Sequence, residues 1–319
     1  MTAPAVRVPF SRWVRGAFGL ATTAVLVSCQ LVGSYATFES APAETEPEPE
    51  TLHRCNSLPR AKPDDRGLGT MVLIESDEDR CFWIDRTEVT VDAYAAYLAD
   101  VGSTPDWDPV RCAWKEGPSN PAATSDDTCA QASVARAGGP FTSAQPIRCV
   151  DWCDADAFCR WGGKHLCYGR LATNFQGLDT PRNFDDWAIA CAGPERGAMP
   201  YGPKPEAGRC NVGRTVADCH SGSCFPAPAS SFPVCGYDGG PINMVGNVAE
   251  WISVCQTQGA AEGQSTDVCA VVGGSSEENL DLVTCYYGTE FAERASRAPE
   301  IGMRCCAELS FDEEVSLAP

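Results

Sequence analysis

The chain holds only three histidines in 319 residues, His53, His165 and His220, and they are scattered. The spacing Cys149-x3-Cys153-x5-Cys159 imitates a metal cluster, but paired Cys-x2-Cys units are missing. Scarce histidine and unpaired cysteine spacing argue against zinc. Basic charge is also short: 24 Lys and Arg stand against 43 Asp and Glu, for a net charge of −19. Such a surface disfavours nucleic acid and a bare anionic membrane. No apolar run is long enough to span a bilayer as a mature helix. A glycine-rich phosphate loop, a serine nucleophile motif and an internal repeat are all lacking.

What is present begins with an address. Arg7, Arg12 and Arg15 precede a short apolar run, Gly16 to Val27, which ends in "LVSC". The charged start, short apolar core and small residues before Cys29 resemble a bacterial lipobox. Residues 1–28 then read as a lipoprotein signal peptide and Cys29 as the lipidated residue; an ordinary signal peptide is the alternative. Several acyl chains on one cysteine anchor a protein without a transmembrane helix. Residues 29–51 continue as an acidic, proline-rich tether, "FESAPAETEPEPET", with nothing to bury. Removing the three arginines from −19 leaves −22 for the mature chain. The expected location is the cell envelope, at the outer membrane. Residues 52–310 form one domain, and 311–319 an acidic tail.

Nineteen cysteines less Cys29 leave eighteen, an even number. In an exported chain they read as a disulfide framework of up to nine bonds. Hydrophobic patterning predicts a strand at Cys81–Asp85 and a helix capped by Thr90. Val91, Tyr94, Leu98 and Val101 form that helix's apolar stripe. Residues 103–145, with Cys112 and Cys129, read as a long loop. A second helix is expected over Cys153–Trp161, closed by Gly162-Gly163, with Trp152, Ala155 and Cys159 on one face. A third is expected within 183–193. The fold class is α+β with little regular structure, rich in disulfides.

Four segments resemble the formylglycine-generating enzyme (sulfatase-modifying factor) family. They are "FWIDRTEVTVDAYAAYL", "PIRCVDWCDADAFCRWGGKHL", "NMVGNVAEW" and "VVGGSSEE…CYYG…SRAPEIGMRC", in family order over residues 70–306. The resemblance implies a C-type-lectin-like α+β domain. It also implies a calcium site on the Asn243 side chain, the Gly246 and Val248 carbonyls and the Glu250 carboxylate, a set suited to Ca²⁺. The alternative is that Asn243 and Glu250 hold loop groups by hydrogen bonds. A second family calcium site would begin at Asn211 and Val212. No carboxylate aligns near Phe225, and Asp218 is the local substitute.

The family oxidises a substrate cysteine with copper on a Cys-x4-Cys pair after "GGS", thiolates being suited to Cu(I). Counted from Ser275, those places fall on Glu278 and Val283; counted back from Cys285, the nearer falls on Leu280. Neither register supplies two cysteines, and Glu277 and Glu278 are hard oxygen donors, so copper is not expected. "CHSGSC", with Cys219, His220 and Cys224, reads as a local disulfide turn. Relatives that use iron take histidines from a separate helical domain, which the scattered histidines here do not match. His165 stands where the family has Arg, and "CYGRLATNFQGLDT" (167–180) replaces the usual run before the third helix. Asp185 and Asp186 occupy a structural position of that helix. By resemblance, Cys159 pairs with Cys305 and Cys191 with Cys285, while Cys306 needs another partner because a vicinal bond would be strained. The function expected is a non-catalytic, calcium-stabilised, lipid-anchored domain that binds a protein or glycan. The competing class is a formylglycine-generating-type oxidase with relocated ligands.

Overall fold

Alternation along the last strand shows how the molecule is organised. Cys305 and Cys306 are adjacent, so a strand sends their side chains to opposite faces. Cys305 bonds to Cys159 and enters one apolar cluster, while Cys306 bonds to Cys167 and enters another. The computed structural model describes residues 54–76, 80–121, 129, 141–169, 185–213, 225–257, 263–286, 290–310 and 313. Cys29, His53, Asp218, Cys219, His220, Cys224, the tether and nearly all of the tail lie outside the described residues.

The first sheet joins β1 (Ala61–Pro63), β2 (Thr70–Glu75), β3 (Cys81–Asp85), β4 (His165–Leu166) and β9 (Cys305–Glu308). Its order is β1-β2-β3-β9-β4, with every pair antiparallel. The second joins β5 (Ala249–Gln256), β6 (Val268–Val272), β7 (Glu290–Glu293) and β8 (Ile301–Met303) in the order β7-β6-β5-β8. β5 and β8 run parallel there. Period-2 alternation divides the cores. Trp251, Cys269 and Val271 pack with Tyr94, Trp152 and Phe158; Ile252, Ala270 and Val272 pack with Trp187 and Cys191.

Three α-helices lie among the described residues, α1 (Val91–Val101), α2 (Trp152–Trp161) and α3 (Asp186–Ala192), besides a 3-10 turn at Arg54–Ser57. Thr90 caps α1, its hydroxyl accepting from the Ala93 amide at 3.3 Å. Val91 and Tyr94 are buried, Leu98 and Val101 half-buried, and Tyr97, which the sequence stripe omits, is fully buried. Tyr94, Tyr97, Phe158 and Trp161 form the aromatic contact between α1 and α2. α2 opens on a capping box of Asp151 and Asp154 and ends as Gly163 turns to a φ of 69°. Two like charges in one capping box need a counter-ion. The buried Lys115 ammonium meets both carboxylates, at 2.9 Å for Asp154. It comes from the loop 102–121, which holds no helix or strand and is tied to α2 by Cys112–Cys153.

Eight disulfides link all sixteen cysteines among the described residues. Cys191 is joined to Cys285 across a separation of 94 residues, and Cys159 to Cys305 across 146. Among the described residues, no helix is long and apolar enough to cross a membrane.

Candidate functional site

Residues 242–248 form the loop that feeds β5, and its backbone has an unusual requirement. Asn243, Gly246 and Asn247 all have positive φ, at 59°, 80° and 62°. Asparagine and glycine are the residues that tolerate this region. Gly246 is needed for space too, since a Cβ there would lie 2.5 Å from the Asn211 carbonyl oxygen and from Val212 Cγ2. The twisted loop directs its groups at neighbouring segments. Asn247 N donates to Asn211 O, and Gly246 N donates to Gly273 O, each at 2.9 Å. Asn247 Oδ1 accepts from Asn211 Nδ2 and from the Ala227 amide, both at 2.8 Å. Asn211 Nδ2 also donates to Phe225 O.

At the centre lies Glu88, from the segment entering α1. Its carboxylate accepts from Asn247 Nδ2 at 2.7 Å and from Asn243 Nδ2 at 3.3 Å. Burial pushes its pKa up to about 7, opposed by the charge of Arg304 and reinforced by that of Glu250. No local pattern in the sequence marks Glu88 or Arg304 as a buried charge; each is identified only by the distant segments that pack around it. Arg304 Nε and Nη2 donate to Glu250, Nη1 donates to the Asp85 carbonyl at 2.8 Å, and Nη2 also donates to Ile242 O at 2.9 Å. Burial alone would lower its pKa, yet the charges of Glu250 and Glu88 outweigh that and hold it raised. A second buried cation, Lys164, bridges Asp85 and Asp64 at 2.9 and 3.4 Å.

These contacts test the calcium set. Both Glu250 oxygens are engaged: three contacts come from Arg304, and Trp187 Nε1 donates to Oε2 at 2.7 Å. A calcium ion on either oxygen would adjoin a buried guanidinium already paired there. Asn243 Oδ1 is the one candidate side-chain oxygen that is buried and unpartnered. Asn243, Gly246, Val248 and Glu250 therefore share one loop and strand, with the Glu250 carboxylate held by Arg304 and Trp187 and the Asn243 oxygen left unpartnered. At the second set, Asn211 Nδ2 is held by Phe225 and Asn247, and Val212 packs against Gly246. No three His, Cys, Asp or Glu side chains gather as for a metal among the described residues.

The segment after "GGS" answers the copper question similarly. Gly273 and Gly274 have φ of 85° and 66°, and a Cβ on Gly274 would meet Val283 Cγ1 at 2.3 Å. Leu280 and Val283 are buried with Trp187 in one apolar cluster, and Cys285 is bonded to Cys191. Glu278 has a raised pKa, from burial and then from the charges of Glu290, Glu300 and Glu277. Two packed aliphatic side chains and a carboxylate do not fit Cu(I). The remaining candidates are engaged in the fold. Asp185 caps α3, accepting from Ala188 N, and Asp186 pairs with Arg80. His165 stacks on Tyr168 with ring centroids 4.4 Å apart, and its Nδ1 lies 2.9 Å from Leu166 O.

Comparison with known proteins places this geometry. Mouse formylglycine-generating enzyme is 33% identical over 122 residues, covering 35% of this chain and 27% of the mouse protein. The match thus spans about a quarter of that relative's length. PvdO from Pseudomonas aeruginosa superposes with a TM-score of 0.50 at 19% identity, covering 78% of this chain and 98% of PvdO. CarF superposes with a TM-score of 0.40 at 16% identity, over 72% of this chain and 87% of CarF. The model of the sulfatase-modifying factor enzyme 1-like domain matches residues 75–309. By that match over most of its length, the chain belongs to the sulfatase-modifying factor enzyme 1-like family.

Proposed function

We propose that the domain is a disulfide-bound binding module for a protein or glycan at the cell surface, and that it does not oxidise cysteine. The observation that carries this reading is the filling of the thiolate positions. Leu280 and Val283 pack into the core, Glu278 offers oxygen, and Cys285 is already joined to Cys191. Soft-metal chemistry needs two thiolates with room for substrate beside them, and a packed aliphatic pair supplies neither. In this reading lipidated Cys29 supplies the membrane anchor, and the acidic residues that follow it in sequence join it to the domain.

Copper loading of the purified full chain tests the reading. The expected result is no stoichiometric Cu(I) and no formylglycine in a cysteine peptide incubated with the loaded protein. Stoichiometric copper together with peptide oxidation would overturn it. Detergent-phase partitioning tests the anchor: Cys29→Ala should move the protein to the aqueous phase, and equal partitioning of parent and variant would defeat that part.

A further inference from the structure

We propose that Cys255–Cys269 is a reducible crosslink, open to attack by a dithiol while the rest of the domain stays folded. Accessibility singles it out. Fifteen of the sixteen described cysteines are buried; Cys255 is half-buried and is followed by exposed Gln256 and Thr257. Thiol–disulfide exchange requires a thiolate to reach one sulfur of the bond, so burial protects the other seven bonds kinetically.

Position singles it out again. Cys255 and Cys269 are direct partners on antiparallel β5 and β6, beyond the register irregularity after Trp251. Their Cα atoms are 3.9 Å apart, against 4.8 to 6.0 Å in the other seven. That separation is below the usual range of roughly 4.4–6.8 Å. The bond closes a separation of 14 residues, the smallest of the eight. Its loss leaves the inner half of the strand pair in place: Glu250 and Trp251 still pair with Val272 and Val271, and β8 still flanks β5. What loosens is the outer end of β5 and the segment 263–267 that leads into β6. Asp267 Oδ2 accepts there from the amides of Gly263 and Gln264, and Gly263 lies against the Val110 carbonyl.

Exposure also sets the order of the chemistry. A thiolate of the dithiol attacks Cys255 Sγ, the S–S bond breaks, and buried Cys269 leaves as a thiolate that takes a proton from water. The reagent's second thiol then attacks the mixed disulfide and releases Cys255. The dithiol is oxidised by two electrons to its own disulfide, and the protein bond is reduced by two.

Graded dithiothreitol on the native full chain, quenched with N-ethylmaleimide and peptide-mapped, tests the proposal. Cys255 and Cys269 should acquire label faster than every other described cysteine, by about tenfold or more, while the far-ultraviolet circular dichroism stays unchanged. Another described pair labelled first or equally fast would overturn it. So would labelling of Cys255 that begins only as the dichroism signal is lost.

Discussion

Arg304 separates two strands that belong to different sheets, β8 and β9, and it is fully buried. It ties the end of β3, the loop before β5 and the β5 carboxylate at one point. Removing one partner of such a pair leaves the other charge buried and uncompensated, at a cost of about 3–5 kcal/mol. Glu250→Gln should therefore lower stability by about that much in urea unfolding. The loss should be equal in calcium and in chelator, because the arginine is the cation that Glu250 holds. A loss seen only with calcium present would restore the ion to this loop. Glu88 makes a pH prediction. Its folded pKa of about 7 exceeds the ordinary 4.5, so the folded state binds the extra proton between those values. The stability it contributes is present below about pH 4.5 and is lost as pH rises through 7. Glu88→Gln should gain on the parent by about 3 kcal/mol over that interval. Parallel stability curves for parent and variant would refute this.

Among the elements, α1 and α2 are the best specified locally. Their caps, Thr90 and the Asp151–Asp154 box, and the Gly162-Gly163 stop lie within a few residues of the helix ends. Thr90→Ala should cost about 1 kcal/mol. A chemical-denaturation midpoint unmoved by the change would show that the aromatic contact with α2 alone holds α1. The strands are less legible. β4 has two residues and β8 three, and each acquires strand geometry only from the neighbour it pairs with. The loop 242–248 is an intermediate case. Its glycine and asparagines announce an irregular backbone, but the reason for it is the Asn211, Ala227 and Glu88 partners that fold against it.

For the whole molecule, the crosslinks supply what sparse regular structure does not. A lone bond closing 146 residues restrains the unfolded chain by about 5 kcal/mol, and one closing 14 residues by about 3. Because Cys167–Cys306 closes nearly the same loop, at a separation of 139 residues, removing both bonds by Cys159→Ala/Cys305→Ala with Cys167→Ser/Cys306→Ser should destabilise more than Cys255→Ser/Cys269→Ser in non-reducing guanidinium. The reverse order would show that native packing, not chain entropy, sets their contributions.

Sequence by itself determined the α+β class, the disulfide-rich character, the helix caps and the family, because these rest on local spacing and on motifs that survive in order along the chain. It also placed hard and aliphatic residues where the thiolates should be, since counting from Ser275 and Cys285 needs no coordinates. Tertiary structure decided what Glu250 does. Its donors, Trp187 and Arg304, lie 63 and 54 residues away, and neither distance leaves a periodic trace in sequence. The same holds for Glu88, whose pKa is set by burial and by Arg304 and Glu250, both brought to it from more than 150 residues downstream. Short-range sterics write caps and turns into neighbouring residues; the partner of a buried charge is chosen only when distant segments pack and exclude water.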